Sequence, residues 1–265
     1  MLNSVALAVS YNGTPFHGFQ YQNGQIPTIQ GELEAALTNI AAEPIRVRCA
    51  GRTDAGVHAT NQIVSFTTNA TRDSKAWVQG TNAGLSNDIA VTCAVATPES
   101  FNARFSANSR RYLYVIFNSP VRSGLMPEYV TREHRQLNHE KMHIAAQALL
   151  GKHDFSSFRA ANCQSKTPIR SVSDISVKRS GDLVLIDIAA NAFLQHMVRN
   201  IAGVLMDVGS EIKPVTWAEE LLGIKDRTKG SKTAPPNGLY FIGVSYEPDI
   251  GLPTTAWPHF LAATN

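Results

Sequence analysis

The sequence predicts an α+β protein made of two related β-α-β-β-α-β halves, and three observations carry that expectation. Segments alternating with period two are interleaved with segments of helical period. The same order of elements occurs twice, with little residue identity between the copies. At 265 residues, 43% hydrophobic and 17% charged, the chain is long enough for one large core or two ordinary ones.

Val5, Leu7 and Val9 alternate with small or polar residues and form a first strand, closed by the turn chemistry of Tyr11-Asn-Gly-Thr-Pro15. Thr28 caps a helix whose Ile29, Leu33, Ala36, Leu37 and Ile40 recur at helical spacing. Ile45 to Arg48 leads into a glycine-bounded loop, and Ile63, Ser65 and Thr67 alternate against Val64 and Phe66 in the strand that leaves it. A helix from about Lys75 to Leu85 and a strand from Ile89 to Ala96 complete the first half.

The second half opens with Arg111 to Phe117, a strand apolar on both faces and therefore covered on both. Met142, Ala145, Ala146 and Leu149 form a helical stripe that ends at Gly151. Ser173 to Arg179 and Leu183 to Ala189, joined at Ser180-Gly181, read as a hairpin. A helix from His196 to Val208 buries Met197, Ile201, Val204, Leu205 and Val208, and Leu239 to Tyr246 is the last strand. The expected domains are 1–104 and 105–265, each ferredoxin-like with a mainly antiparallel sheet, meeting at a central cleft.

Charge adds little by itself: 24 Lys and Arg against 21 Asp and Glu leave +3, so a polyanionic partner is held by local clustering. Cys49, Cys93 and Cys163 are odd in number and widely spaced, as expected of reduced thiols in a cytoplasmic protein. No run of about 18 apolar residues offers a membrane span. His139-Glu-Lys-Met-His143 fits the H-E-x-x-H pattern, but Asn138 looks like a helix cap that places it in an exposed first turn, and no third ligand follows. No metal is expected. Neither a nucleophile elbow nor a phosphate-binding or dinucleotide glycine loop occurs, so no cofactor is expected.

Gly51-Arg-Thr-Asp-Ala-Gly-Val-His-Ala59 is the chemically loaded stretch, with Asp54 between two glycines that allow sharp turns and close approach of a ligand. Arg52, two positions earlier, shares a face with Asp54 in extended chain and keeps the carboxylate ionised. His58 is close enough in sequence to pair with the acid. Arg199 falls about 200° around its helix from Met197, away from the buried stripe, where its cation is placed to meet Asp54. Arg104, Arg110, Arg111, Lys152, Lys166, Arg170, Lys178 and Arg179 recur at element ends among Phe101, Phe105, Tyr112, Phe155 and Phe158. Cations interleaved with aromatics suit phosphates and unstacked bases. Lys225-Asp-Arg-Thr-Lys-Gly-Ser-Lys232 adds a basic loop that is a further candidate for phosphate contact.

The nonapeptide around Asp54 resembles the signature of the tRNA pseudouridine synthase A family. Phe16-His-Gly-Phe-Gln, Phe105-Ser-Ala with Arg110-Arg-Tyr-Leu-Tyr, Gly151-Lys-His-Asp-Phe with Pro168-Ile-Arg, Phe193-Leu-Gln-His-Met-Val-Arg-Asn200 and Ala234-Pro-Pro-Asn-Gly-Leu-Tyr240 follow in that family's order. Asn12 and Phe19 depart from it, where Asp and Trp are frequent. The resemblance implies conversion of uridine to pseudouridine at positions 38, 39 and 40 of tRNA, by a homodimer without metal or cofactor. It implies Asp54 as the catalytic carboxylate, Tyr112 stacked on the uracil, Arg199 paired with the acid, Leu239 as an apolar wall and Arg52 as an aid to extruding the nucleotide. The rival reading from the residues is a non-catalytic RNA-binding module, which needs the basic surface but not Asp54, Tyr112 and Arg199.

Overall fold

A computed structural model describes residues 3–247 and 249–264. The chain forms two compact units that are not consecutive in sequence. One comprises Met1–Arg110 with Tyr240–Asn265, and the other comprises Arg111–Leu239.

The first unit is built on β1 (Asn3–Tyr11). Leu7 and Val9 are fully buried on one face, and the small Ala6 and Ala8 are fully buried on the other, so this strand is covered on both sides. Helix α1 (Ile29–Ala41) begins where Thr28 Oγ1 accepts the N–H of Gly31 at 3.2 Å, and it buries Ile29, Leu33, Ala36, Leu37 and Ala41. The short β2 (Arg48–Cys49) pairs antiparallel with β3 (His58–Thr68). β3 starts earlier than the alternation around Ile63 indicates, inside the Asp54 nonapeptide itself. α2 (Ser74–Ala83) is capped by Asp73, whose side chain takes the N–H of Ala76 at 2.7 Å, and Trp77 meets Phe66 edge to face at 5.2 Å. β4 (Ile89–Thr97) and β3 flank β1, both antiparallel to it.

Chain order in this unit is thus β-α-β-β-α-β, as the sequence predicts, with sheet order β4-β1-β3 and β2 added on β3.

The second unit takes β5 (Ala107–Asn118) from Arg111 onward, with Leu113 to Ile116 fully buried. β6 (Thr131–Glu133) lies parallel to β5. α3 (His139–Gln147) is capped by Asn138, which accepts the N–H of Lys141 at 3.0 Å. The helix stops four residues before Gly151, which takes φ +93° and opens β7 (Gly151–Asp154) rather than ending the helix. β8 (Ile169–Ser180) and β9 (Leu183–Ala190) form the expected hairpin, with Gly181 at φ +56° in its turn. The sheet runs β5-β9-β8-β7.

α4 (Met197–Gly209) departs from a one-sided amphipathic helix: beyond the expected stripe it also buries Val198, Asn200, Ala202, Gly203 and Met206. Its other side is covered by the segment after residue 231, which comes so near that a Cβ on Gly203 would sit 2.1 Å from the Lys232 carbonyl oxygen. α5 (Trp217–Ile224) follows, then β10 (Leu239–Tyr246). From Tyr240 onward β10 belongs to the first unit, where it pairs parallel with β3 through Tyr240 with His58 and Phe241 with Ala59.

Candidate active site

The Asp54 loop is a rigid turn rather than a loose connection. The N–H of Val57 donates to the Asp54 carbonyl at 3.1 Å and Gly56, third of the four residues, has φ +75°. These features define a type II turn, and they explain why the position is glycine. Before the acid, the backbone of Gly51 is held in both directions by one side chain: Gln62 Nε2 donates to its carbonyl at 2.7 Å and Gln62 Oε1 accepts its N–H at 3.4 Å. Thr53 is buried, with its hydroxyl 2.8 Å from that of Tyr11, while its carbonyl accepts the N–H of Phe19 at 3.0 Å. Desolvation pushes the buried Tyr11 phenol far above its ordinary range, so it serves as a neutral hydrogen-bonding post.

Two glycines let the 12–19 segment lie directly on this turn. A Cβ on Gly13 would stand 2.0 Å from the Val57 carbonyl oxygen, and one on Gly18 would stand 2.9 Å from that of Thr53. His58 is a brace of the same assembly: its Nδ1 accepts the N–H of Gly13 at 3.1 Å, and its ring stacks on Tyr240 at 4.8 Å.

Asp54 itself is half-buried and Arg52 exposed. Arg52, Arg104 and Arg110 together act on Cys49, where burial raises the thiol to about 11 against the pull of the three guanidinium groups. Arg110 is committed to structure, donating through Nε and a terminal nitrogen to the Ala50 carbonyl at 3.2 and 3.1 Å. Arg104 lies over the ring of Phe105 at 5.4 Å, and that ring is 78% exposed, so the first unit presents an open cation and aromatic pair.

Tyr112, Arg199 and Leu239 all belong to the second unit. Tyr112 is 8% exposed, and its ring is fixed edge to face by Phe193 at 4.9 Å. Arg199 is not on a solvated helix face. Its Nε donates to the Ala234 carbonyl at 2.8 Å, while its own carbonyl accepts the Ala234 N–H at 3.1 Å. Next to it, Tyr114 donates to the Pro235 carbonyl at 2.9 Å, and burial raises its phenol well above the usual range although Arg199 pulls it down. Leu239 is buried at the start of β10.

Much of the basic and aromatic pattern is architectural. Arg111 makes a two-pronged bridge to the buried Asp187, at 2.7 and 2.6 Å, and reaches Asp174 at 2.9 Å. Arg170 is 8% exposed and holds the Ser165 to Ile169 turn, Arg179 bonds Asn118 and the Leu137 carbonyl, and Phe155 and Phe158 are fully buried. Lys152, Lys166 and Lys178 remain exposed. In the H-E-x-x-H helix, His143 Nδ1 accepts the N–H of Val177 at 3.3 Å. Among the described residues no group of three or more His, Cys, Asp or Glu is placed to hold a metal ion, and no helix is long and apolar enough to cross a membrane.

The sequence matches the family described as tRNA pseudouridine synthase over residues 7–106 and 145–247. The tRNA pseudouridine synthase A of Pseudoalteromonas atlantica is 55% identical over 259 residues, which is 97% of this chain and 98% of that protein. Its counterpart in Shewanella sp. strain MR-4 is 51% identical, over 95% of this chain and 96% of its own. The Pseudomonas aeruginosa protein is 48% identical, over 98% and 92%. With near-complete coverage on both sides and the Asp54 turn inside the matched region, the chain belongs to the tRNA pseudouridine synthase A family.

Proposed function

We propose that the chain isomerises uridine to pseudouridine at positions 38, 39 and 40 of the tRNA anticodon stem-loop, with Asp54 as the catalytic carboxylate. That it is an isomerase of uridine in tRNA follows from its family. The finer reading is supported above all by one observation, the half-buried Asp54 on a type II turn pinned by Tyr11, Gln62 and the 12–19 segment.

The reaction needs such a group. Uracil is detached from C1′, turned and rejoined through C5 while the base stays bound. A carboxylate that attacks C1′ or removes the C2′ proton starts either route, and both require it ionised and held still. In this reading Arg199 pairs with Asp54 and holds the carboxylate in place. Tyr112 stacks on the uracil and its hydroxyl helps remove the C5 proton. Leu239 forms an apolar wall beneath the base, and Arg52 helps extrude the nucleotide from its stem. No metal or cofactor enters the scheme, the enzyme works in the cytoplasm, and the two related α+β domains, both ferredoxin-like, jointly form the cleft. Two copies form a homodimer, which doubles the surface offered to one tRNA; light scattering at assay concentration tests it, and a monomer there refutes it.

The deciding experiment incubates the protein with unmodified tRNA tritiated at uracil C5 and follows tritium released to water. Release that vanishes in Asp54→Asn, with tRNA binding intact, supports the assignment. Binding without release by the unaltered protein refutes it in favour of a non-catalytic RNA-binding module.

A further inference from the structure

We propose that a pocket of about 540 Å³ in the second unit, at the N-terminal end of α4, binds the sugar-phosphate backbone of the RNA substrate through Arg227, Lys232 and Ser231. The proposal rests on the tRNA substrate proposed above.

The lining carries Arg227, Lys232 and His196 but no Asp or Glu. Its apolar side chains are only the methyls of Ala160 and Ala161, and its one ring is His196, so it suits a ribose-phosphate unit and offers little for a base to stack on. Arg227 is the centre of the argument. Its bonds run to neutral oxygens, Asn200 Oδ1 at 3.0 Å and Thr233 Oγ1 at 2.8 Å. Arg111 and Arg135, by contrast, each meet two carboxylates. Burial is the sole influence resolved on Arg227, and it lowers the affinity for the proton, so this guanidinium has been partly desolvated without a matching anion among the described residues. A phosphate oxygen supplies that anion.

Two further features converge on the same pocket. Ser231 Oγ is buried and has no hydrogen-bond partner among the described residues, which leaves a hydroxyl donor at the lining. The 13-residue α4 has His196 as its N-cap, in a left-handed conformation with φ +61° and no capping bond from its side chain, so no side-chain acceptor of the cap offsets the positive end of the helix. The acid next in sequence, Asp226, accepts instead the N–H and hydroxyl of Thr228 at 2.9 and 2.8 Å, and no ion pair joins it to Arg227 among the described residues. The basic loop of the sequence therefore divides. Lys225 and Lys229 are exposed, whereas Arg227 is drawn inward into a built polar recess.

The test measures the affinity of an unmodified anticodon stem-loop RNA by fluorescence anisotropy across a salt series, for the unaltered protein, Arg227→Gln and Lys232→Gln. Loss of the guanidinium contact weakens binding about tenfold or more, and each variant makes the slope of log affinity against log salt shallower by about 0.7–0.9. Stem-loops carrying a single uncharged methylphosphonate then identify the partner: at one position the unaltered protein loses affinity and Arg227→Gln loses no more. If Arg227→Gln does not fold, the exposed Lys232→Gln carries the same comparison. Unchanged slopes in both variants, or weaker binding with no such position, overturn the pocket while tritium release by the unaltered protein leaves the proposed function standing. Failure of the unaltered protein to bind or convert RNA overturns both.

Discussion

Gly13→Ala tests whether the Asp54 turn is positioned by the segment lying on it. A Cβ at this residue would stand 2.0 Å from the Val57 carbonyl oxygen and 2.5 Å from its carbon, where ordinary contact starts at 3.4 Å. The backbone must therefore yield by 3.4 − 2.0 = 1.4 Å, and neither side is a flexible side chain. Val57 closes the turn by its 3.1 Å bond to Asp54, and Gly13 is itself tied to His58, so the displacement passes to the acid. Overpacking of this kind costs about 1–3 kcal/mol, which lowers the melting temperature on the order of 5 °C in a chain of this size. A misplacement of about 1 Å at the reacting group costs roughly 100-fold in rate. The assay is single-turnover tritium release at saturating enzyme, alongside tRNA affinity by anisotropy. The rate should fall by about two orders of magnitude while affinity stays near that of the unaltered protein. A folded Gly13→Ala protein that turns over at an unaltered rate, or whose affinity falls in step with its rate, refutes the reasoning.

Asp54→Asn should lower single-turnover pseudouridine formation by about 10³-fold or more without loss of tRNA affinity, because the amide is neither base nor nucleophile. Tyr112→Phe keeps the ring that packs on Phe193 and should retain binding with slowed turnover, whereas Tyr112→Ala should impair both; full turnover by both variants assigns Tyr112 to packing alone. At pH 8 iodoacetamide should modify Cys163 before Cys49, as mass spectrometry of the peptides will show. Burial pushes both thiols up, but at Cys163 the N–H groups of Ser165 and Gln195 and the Arg159 side chain outweigh it and bring the net value down, so its thiolate is present at lower pH. Gly223→Ala, in α5 where an added Cβ meets nothing within 4 Å, should raise the melting temperature slightly and leave turnover unchanged, the opposite of Gly13→Ala.

What the sequence made legible follows from local physics. Thr28 and Asn138 cap their helices because a side-chain oxygen before an apolar stripe satisfies the first free N–H groups, and β10 has the bounds expected from the sequence, Leu239–Tyr246. The hairpin at Gly181 and the turn at Gly56 were visible for the same reason, as glycines at positions that need positive φ. What was not visible depends on partners distant in the chain. The cover over α4 at Arg199 and Gly203 comes from residues 232–234, and the structural role of Arg111 from Asp187, which is 76 residues away. A charge in sequence looks the same whether it faces water or a carboxylate. β6, β7 and α5 are too short for a periodic pattern to stand out. His58 illustrates both limits: its closeness to Asp54 was plain, but its stacking on Tyr240 required the far end of the chain.

That reliance on late residues has a consequence for biosynthesis. β3, which leaves the Asp54 turn, has as its parallel neighbour a strand translated only after the whole second unit, and the Thr60 hydroxyl and the Asn61 amide donate to the carbonyls of Ala256 and Pro253. A nascent chain emerging from the ribosome therefore cannot finish its first unit in the order in which it is made. Fragments released before Tyr240 carry the acid but lack the strand and ring that brace it, so prematurely terminated products should be inactive on RNA and readily proteolysed around β3. The unit begun before the other is completed after it, and its competence waits on β10 and the segment that follows.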